Sequence, residues 1–128
     1  MKPERVALRG VLDPDDAIRR VFLARLSEAR ALEAALNSRD KRALHGFRIA
    51  CKRLRYARDR IESPVPGAAA AADLLARLQD ALGEAHDRDV LLAILPPTMG
   101  RTHRRLQDER EAYVDRARSL WESARDLA

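Results

Sequence analysis

The residues of this chain best suited to chemistry are cations spaced along one predicted helix, within and just before the segment HGFRIACKRLRYARDR at positions 45–60. At about 100° per residue, five of them fall within roughly 80° of one another. We name this group the basic stripe, and it consists of Lys41, His45, Arg48, Lys52 and Arg55. Asp59 is the one acid on that side, and the opposite side is apolar. Like charges at these spacings cost about 0.2–0.5 kcal/mol per pair, so the stripe favours an anion-binding function over an ordinary solvated face.

The types of these side chains indicate phosphate as the anion. Arginine offers phosphate oxygens a planar pair of donors and stays charged at any relevant pH, whereas lysine adds a compact point charge. Arg48 and Arg55 are about 10.5 Å apart along a helix axis, with Lys52 between them. His45 lies at the N-terminal end of the stripe, where a phosphate would accept its hydrogen bond. The spacing therefore predicts a site for a string of phosphates.

Three further residues are assigned to the same site. Arg88 is expected to point either to the same anion or to solvent. Asp87, near the start of a predicted short helix, would hold an arginine in place if that helix crosses the basic one. Tyr56 is the one nearby aromatic residue, and a tyrosine at the edge of the core explains it better than a base-stacking platform. The sequence therefore offers little support for base recognition.

A metal site is the competing interpretation of the histidines. Helical phosphohydrolases ligate metals through a His-Asp pair, and His86 with Asp87 would need His45 and either Asp108 or Asp115 to converge on it. Strong cations beside such a site would repel the metal. The chain also has no Walker-type glycine loop, serine elbow, CxxC or HExxH spacing. We therefore expect no enzyme activity, no catalytic residues, no metal and no cofactor.

Composition limits the fold class. The chain has 128 residues and a net charge of +5, with 46% hydrophobic, 35% charged and only 4% aromatic residues. This balance predicts one all-α domain spanning residues 1–128. Cys51 falls on the apolar side of the basic helix and is expected to be buried. Because no apolar run is long enough for a membrane span or a signal peptide, we expect a cytoplasmic protein with no membrane partner.

Residues that cap or end helices predict a single antiparallel bundle of four to five helices. Asp13-Pro14 begins the first helix, Ser38 or Asp40 caps the second, the segment Ser63–Gly67 ends it, and Gly83 ends the third. The last helix repeats Leu106, Tyr113, Leu120 and Leu127 every seven residues, which closes a bundle or packs against a second copy. The predicted helices span residues 14–36, about 40–62, 67–82, 86–95 and 101–127, after a loose N-terminal segment at 1–12.

Two segments resemble a known family. Leu44–Tyr56, LHGFRIACKRLRY, resembles the signature helix of the CHAD family, the conserved histidine α-helical domain. Leu78–Leu91, LQDALGEAHDRDVL, is similar to that family's second recurring stretch. The resemblance implies an all-helical domain that binds inorganic polyphosphate through a basic surface, in some members at polyphosphate granules. The motif's histidine, cations and tyrosine fall on His45, Arg48, Lys52, Arg53, Arg55 and Tyr56.

The length of the chain departs from that family pattern. Members typically contain two similar four-helix halves, and this chain has room for one, most similar to the C-terminal half. A homodimer would supply the missing half and place two basic helices around one channel. Because phosphate-binding surfaces also tolerate DNA or RNA, a nucleic-acid-binding helical protein is the alternative function.

Overall fold

The described part of the chain folds into four α-helices. The computed structural model describes residues 2–11, 13–61 and 68–127, and within these ranges every regular element is helical. This confirms the all-α class predicted from composition. The predicted stop at Ser63–Gly67 lies outside the described residues. The helices are α1 (Pro14–Leu32), α2 (Lys41–Asp59), α3 (Ala68–Ile94) and α4 (Gly100–Leu127), with a 3₁₀ turn at Glu33–Asn37.

Side-chain caps begin the first two helices where the sequence predicts them. The carboxylate of Asp13 accepts a hydrogen bond of 2.8 Å from the backbone N–H of Asp16, and Pro14 is in the first turn. The carboxylate of Asp40 accepts from the N–H of Arg42 at 2.9 Å, while Ser38 binds the N–H of Asp40 itself. These caps satisfy N–H groups that have no partner inside the helix. The basic helix therefore starts at Lys41.

The predicted break at Gly83 is wrong. Helix α3 runs without interruption from Ala68 to Ile94, so the predicted third and fourth helices are one. A glycine inside a helix costs about 1 kcal/mol relative to alanine. Leu82 and Ala85, on either side of it, are completely buried and pack into the core. Continuous packing of the helix therefore outweighs the low helix propensity of one residue.

The core lies on the apolar side of α2, which packs between α1 and α3. Phe47 of α2 meets Trp121 of α4 edge to face, with ring centroids 5.3 Å apart. Cys51 is buried beside them, as predicted, and burial raises the pKa of its thiol. Helix α4 makes its most extensive contact with α3. Burying one side of α2 in this way leaves its opposite side toward solvent.

The seven-residue repeat of α4 is used inside the chain. Leu106 and Leu120 are buried and Tyr113 is half-buried, while the side chain of Leu127 lies outside the described part of the structure. On the neighbouring side of α4, Trp121 donates a hydrogen bond of 2.7 Å to Glu33, which also binds Arg125 at 2.9 Å. The repeat therefore closes the bundle.

The N-terminal segment forms no helix but is hydrogen-bonded to α1. Arg20 donates to the backbone carbonyl of Arg9 at 2.7 Å, and Arg25 donates to that of Glu4 at 3.1 Å. The N–H of Glu4 donates to Glu28 at 2.6 Å. Residues 2–11 thus follow the outer surface of α1, away from the core.

Candidate functional site

The basic stripe stays together on the solvent side of α2. Lys41, His45 and Lys52 are exposed, whereas Arg48 and Arg55 are half-buried. Lys41, His45, Arg48 and Lys52 form no ion pair with any carboxylate of the described residues. Four neighbouring positions on one helix face therefore keep their hydrogen-bond donors available to a ligand.

Arg48 carries an unpaired donor within this surface. Its Nε atom is buried and has no hydrogen-bond partner among the described residues. A buried donor left without an acceptor costs about 1–3 kcal/mol. Because Arg48 as a whole is only half-buried, an anion bound beside it would supply the acceptor that Nε lacks.

Arg55 is the stripe residue that the fold already engages. Its Nη1 donates a hydrogen bond of 2.8 Å to the side-chain oxygen of Gln79 on α3, and its Nε lies 3.8 Å from the carboxylate of Asp59. Its side chain is about one-third exposed. An exposed pair of this kind contributes about 0–1 kcal/mol, so Asp59 reduces the charge of the stripe without abolishing it.

Helix α3 brings a second histidine to the N-terminal end of the stripe. The rings of His45 and His86 stack with centroids 5.1 Å apart and an interplanar angle of 25°. From the sequence, His86 is expected only in the metal alternative, and Gln79 has no predicted role beyond the family motif. Both become neighbours of the stripe because α2 and α3 run antiparallel, an arrangement that residue spacing within one helix does not reveal.

Two predicted residues lie at the borders of the stripe. Arg53 lines a groove between α1 and α2 together with Arg42 and Ile49, about 100° around the helix from Lys52. The Nζ of Lys52 lies 5.8 Å from the centroid of the Tyr56 ring, which is half-exposed. The tyrosine therefore contacts the cation that precedes it by one helical turn.

The structure does not bring Arg88 to the stripe. Arg88 and His86 are two residues apart, so they project about 200° apart around α3. The Arg88 guanidinium binds Glu84 and, at 3.1 Å, Glu109 of α4, and it covers the ring of Tyr113 at 4.8 Å. Partial burial opposes its charge, but these carboxylates outweigh that effect and raise the pKa of Arg88. Arg88 thus serves the contact between α3 and α4.

The predicted supporting role of Asp87 is also not seen. Asp87 is exposed and forms no ion pair with the described residues. Asp89, two residues later, instead receives a hydrogen bond of 2.5 Å from Arg110 of α4. Asp89, and not Asp87, therefore binds an arginine of a neighbouring helix, and that arginine lies outside the stripe.

The residues of the metal alternative converge only in part. His45 and His86 meet, but Asp115 pairs with Arg118 at 2.7 Å and Asp108 is an exposed residue of α4. The described ranges contain no group of three or more His, Cys, Asp or Glu side chains that could hold a metal ion. In the same ranges no helix is long and apolar enough to cross a membrane.

Comparison with known proteins identifies one family. A family model described as CHAD domain matches residues 5–96, which is more than two thirds of the 128-residue chain. The matched region contains the whole basic stripe and runs to the end of α3, while α4 lies beyond it. No curated protein and no solved structure matches the chain.

Proposed function

The chain belongs to the CHAD domain family, and from this premise we propose that it is a non-enzymatic module that binds inorganic polyphosphate along α2. The observation that carries the proposal is the availability of the stripe: Lys41, Arg48 and Lys52 have no carboxylate partner among the described residues. The family is associated with polyphosphate binding, which selects this ligand among phosphate-containing anions. We also propose a cytoplasmic location at polyphosphate granules.

The proposed contacts follow from the chemistry of each residue. Arg48 would bind a phosphate through its guanidinium, and the unpaired Nε would then gain an acceptor. Lys52 would add a point charge, and His45 would donate a hydrogen bond at the end near His86. The charges of Lys41 and Arg55 would extend the site, and Arg53 would meet a wide ligand from the side of α1.

The length of the stripe favours a long anion. Lys41 and Arg55 are 14 positions apart, which is about 21 Å along α2. Arg48 and Lys52, one turn apart, are separated by only about 6 Å. Orthophosphate or pyrophosphate would reach one or two cations, whereas a long chain would reach all of them. Affinity should therefore rise with the chain length of the ligand.

A homodimer is part of this proposal. Two copies could place two stripes around one channel and raise the positive potential that each ligand meets. Because the repeat of α4 is used inside the chain, the second copy would have to dock on another surface. Sedimentation equilibrium with and without polyphosphate would measure the stoichiometry, and a single protein mass of one chain under both conditions would overturn the dimer.

The decisive test of the ligand is a titration with long-chain polyphosphate at low salt. The test variant is Arg48→Gln combined with Lys52→Gln, and the matched control is Arg19→Gln combined with Arg116→Gln. The two control residues are exposed on α1 and α4 and form no ion pair within the described part of the chain. Their replacement removes the same net charge as the test variant does. Binding should weaken in the test variant only. Polyphosphate should also raise the melting temperature of the wild-type protein.

Two further measurements separate the competing functions. If DNA or RNA displaces polyphosphate at equal phosphate concentration, the protein is a general nucleic-acid binder. If phosphate is released from polyphosphate or nucleotides in the presence of a divalent metal, and His86→Ala abolishes that release, the protein is a metal-dependent phosphohydrolase. Either result would overturn the proposed function.

A further inference from the structure

The end of the hairpin formed by α3 and α4 carries an unusual concentration of exposed apolar side chains. Val90, Leu91, Ile94 and Met99 are 47%, 41%, 71% and 42% exposed, respectively. They are four of the seven large hydrophobic side chains that are exposed among the described residues. Val90, Leu91 and Ile94 fall within about 100° of one another around the end of α3. Single exposed hydrophobic residues are ordinary, but a group that shares one face indicates an interaction surface.

This end of the hairpin projects beyond α2. Helices α2 and α3 are antiparallel, and His45 stacks on His86. Lys41 is four residues before His45 and Val90 is four residues after His86, so these two residues lie at about the same height in the bundle. The remaining turn of α3, the connection and the first turns of α4 extend past that level. The Nε2 atom of His103 lies 3.2 Å from the Leu95 carbonyl oxygen and 3.1 Å from that of Pro96. The connection is therefore tied to α4.

Arginines surround the same end. Arg101, Arg104 and Arg105 lie in the first two turns of α4, where the positive end of the helix dipole disfavours cations. Arg101 and Arg104 form no ion pair with the described residues, and Arg105, whose side chain is 72% exposed, has one contact of 3.9 Å with Glu109. His103 is hydrogen-bonded to the carbonyl of Leu95. Because α3 and α4 are antiparallel, the next residue of α4, Arg104, lies at about the same height as the preceding residue of α3, Ile94.

We propose that this hairpin end, made of Val90, Leu91, Ile94, Met99, Arg101, Arg104 and Arg105, binds peripherally to the surface of an anionic lipid bilayer. Apolar side chains at the end would enter the boundary between headgroups and acyl chains. The arginines at the same level would meet lipid phosphates while their aliphatic stems pack on the apolar surface. Asp108 lines the same cleft as the three arginines and offsets one of their charges. The remaining positive charge is complementary to that of the bilayer surface, which commits the occupant to anionic lipid.

The proposal differs from the expectation of no membrane partner, which rested on the lack of an apolar run long enough to span a bilayer. Peripheral binding requires only an apolar face and a complementary charge. It is also independent of the proposed polyphosphate function, because none of the hairpin-end residues belongs to the basic stripe. The two proposals can therefore fail separately.

The test is flotation of the full chain with vesicles of phosphatidylcholine, with and without added phosphatidylglycerol. We expect binding only to the vesicles that contain phosphatidylglycerol, and loss of binding at high salt. Replacing Arg101, Arg104 and Arg105 by Gln should weaken partition on the order of 100-fold at low salt, at about fivefold for each charge. Ile94→Ser combined with Met99→Ser should weaken it at least about tenfold.

Matched controls make the result specific. Leu8→Ser combined with Leu23→Ser removes two apolar side chains that are 50% and 59% exposed elsewhere, and it should leave partition unchanged. Arg5→Gln combined with Arg19→Gln and Arg116→Gln removes three charges at exposed positions elsewhere and provides the charge control. Because all these positions are exposed, the variants should fold, and cooperative thermal melting followed by circular dichroism would verify this.

The outcomes distinguish the sources of binding. Two results together would support separate surfaces. The Arg48→Gln and Lys52→Gln variant should keep vesicle binding, and the hairpin-end variants should keep polyphosphate binding. The proposal is overturned if the wild-type chain ignores anionic vesicles, or if the Ile94 and Met99 variant partitions as well as the wild type. It is equally overturned if the hairpin-end variants lose polyphosphate binding or convert a dimer to a monomer while vesicle binding is absent.

Discussion

The dependence of polyphosphate affinity on salt provides the sharpest test of the basic stripe. The perturbation is the replacement of Arg48 and Lys52 by Gln, which removes two adjacent cations that have no carboxylate partner in the described part of the chain. Each cation that contacts a phosphate releases a bound counterion, so affinity falls as salt rises, with a slope set by the number of contacts. The slope therefore counts the cations that are engaged by the ligand.

The expected magnitude follows from the stripe itself. Lys41, Arg48, Lys52 and Arg55 would make about four contacts, for which a single-stranded polyanion gives a slope of about −2.8 in log affinity against log salt. Raising salt from about 50 to 200 mM would then weaken binding about 50-fold. With two contacts removed, the slope falls to about −1.4 and the loss over the same range to about sevenfold.

The assay is fluorescence anisotropy of end-labelled polyphosphate at four or more salt concentrations. The variant with Arg19→Gln and Arg116→Gln has the same net charge as the test variant and should keep the wild-type slope. If both variants lower the slope equally, the protein attracts the polyanion through its total charge alone. If the Arg48 and Lys52 variant keeps the wild-type slope, the stripe is not the binding site.

Three further predictions concern single positions. Asp59→Asn should raise polyphosphate affinity about two- to fivefold at low salt, because it frees Arg55 from the one carboxylate that contacts the stripe within the described ranges; an unchanged affinity would exclude Arg55 from the site. Gly83→Ala should stabilise the protein by about 0.5–1 kcal/mol in urea unfolding, since nothing other than the adjacent residues and the backbone of the same helix lies within 4 Å of the added Cβ, whereas destabilisation would argue against a continuous α3. The hydrogen bond from Trp121, together with Arg125, lowers the pKa of Glu33 below its ordinary value of 4.5. The stabilisation that ionised Glu33 gives the folded state is therefore present above pH 4.5 and is lost as the pH falls below it. The difference in melting temperature between wild type and Glu33→Gln should close over the same fall in pH. A difference that stays constant would contradict this linkage.

The position of the hairpin end bears on how the two proposed surfaces would work together. The basic stripe lies along α2, and the apolar hairpin end extends past the start of that helix. A chain docked on a bilayer through Ile94 and Met99 would keep Lys52 and Arg55 away from the membrane. Polyphosphate and lipid could then be bound at the same time, and vesicles loaded with the protein should recruit labelled polyphosphate.

Much of the site follows from the sequence because it depends on a single helix. Helical periodicity alone separates the apolar residues of α2 from the basic stripe, and the cap at Asp40 determines where this helix begins. The burial of Cys51 and the exposure of Lys52 follow from the same periodicity. These features are local, since they depend on residues within a few turns of one another.

Other features required the tertiary structure, because they depend on how separate helices are aligned. Gly83 does not end α3, since packing of its neighbours outweighs its propensity. Arg88 turns to Glu109, 21 positions later, and His45 meets His86 across 41 positions. Residue spacing within a helix determines which side chains share a face. The alignment of neighbouring helices, decided by the packing of their buried surfaces, determines which carboxylates and rings those side chains meet.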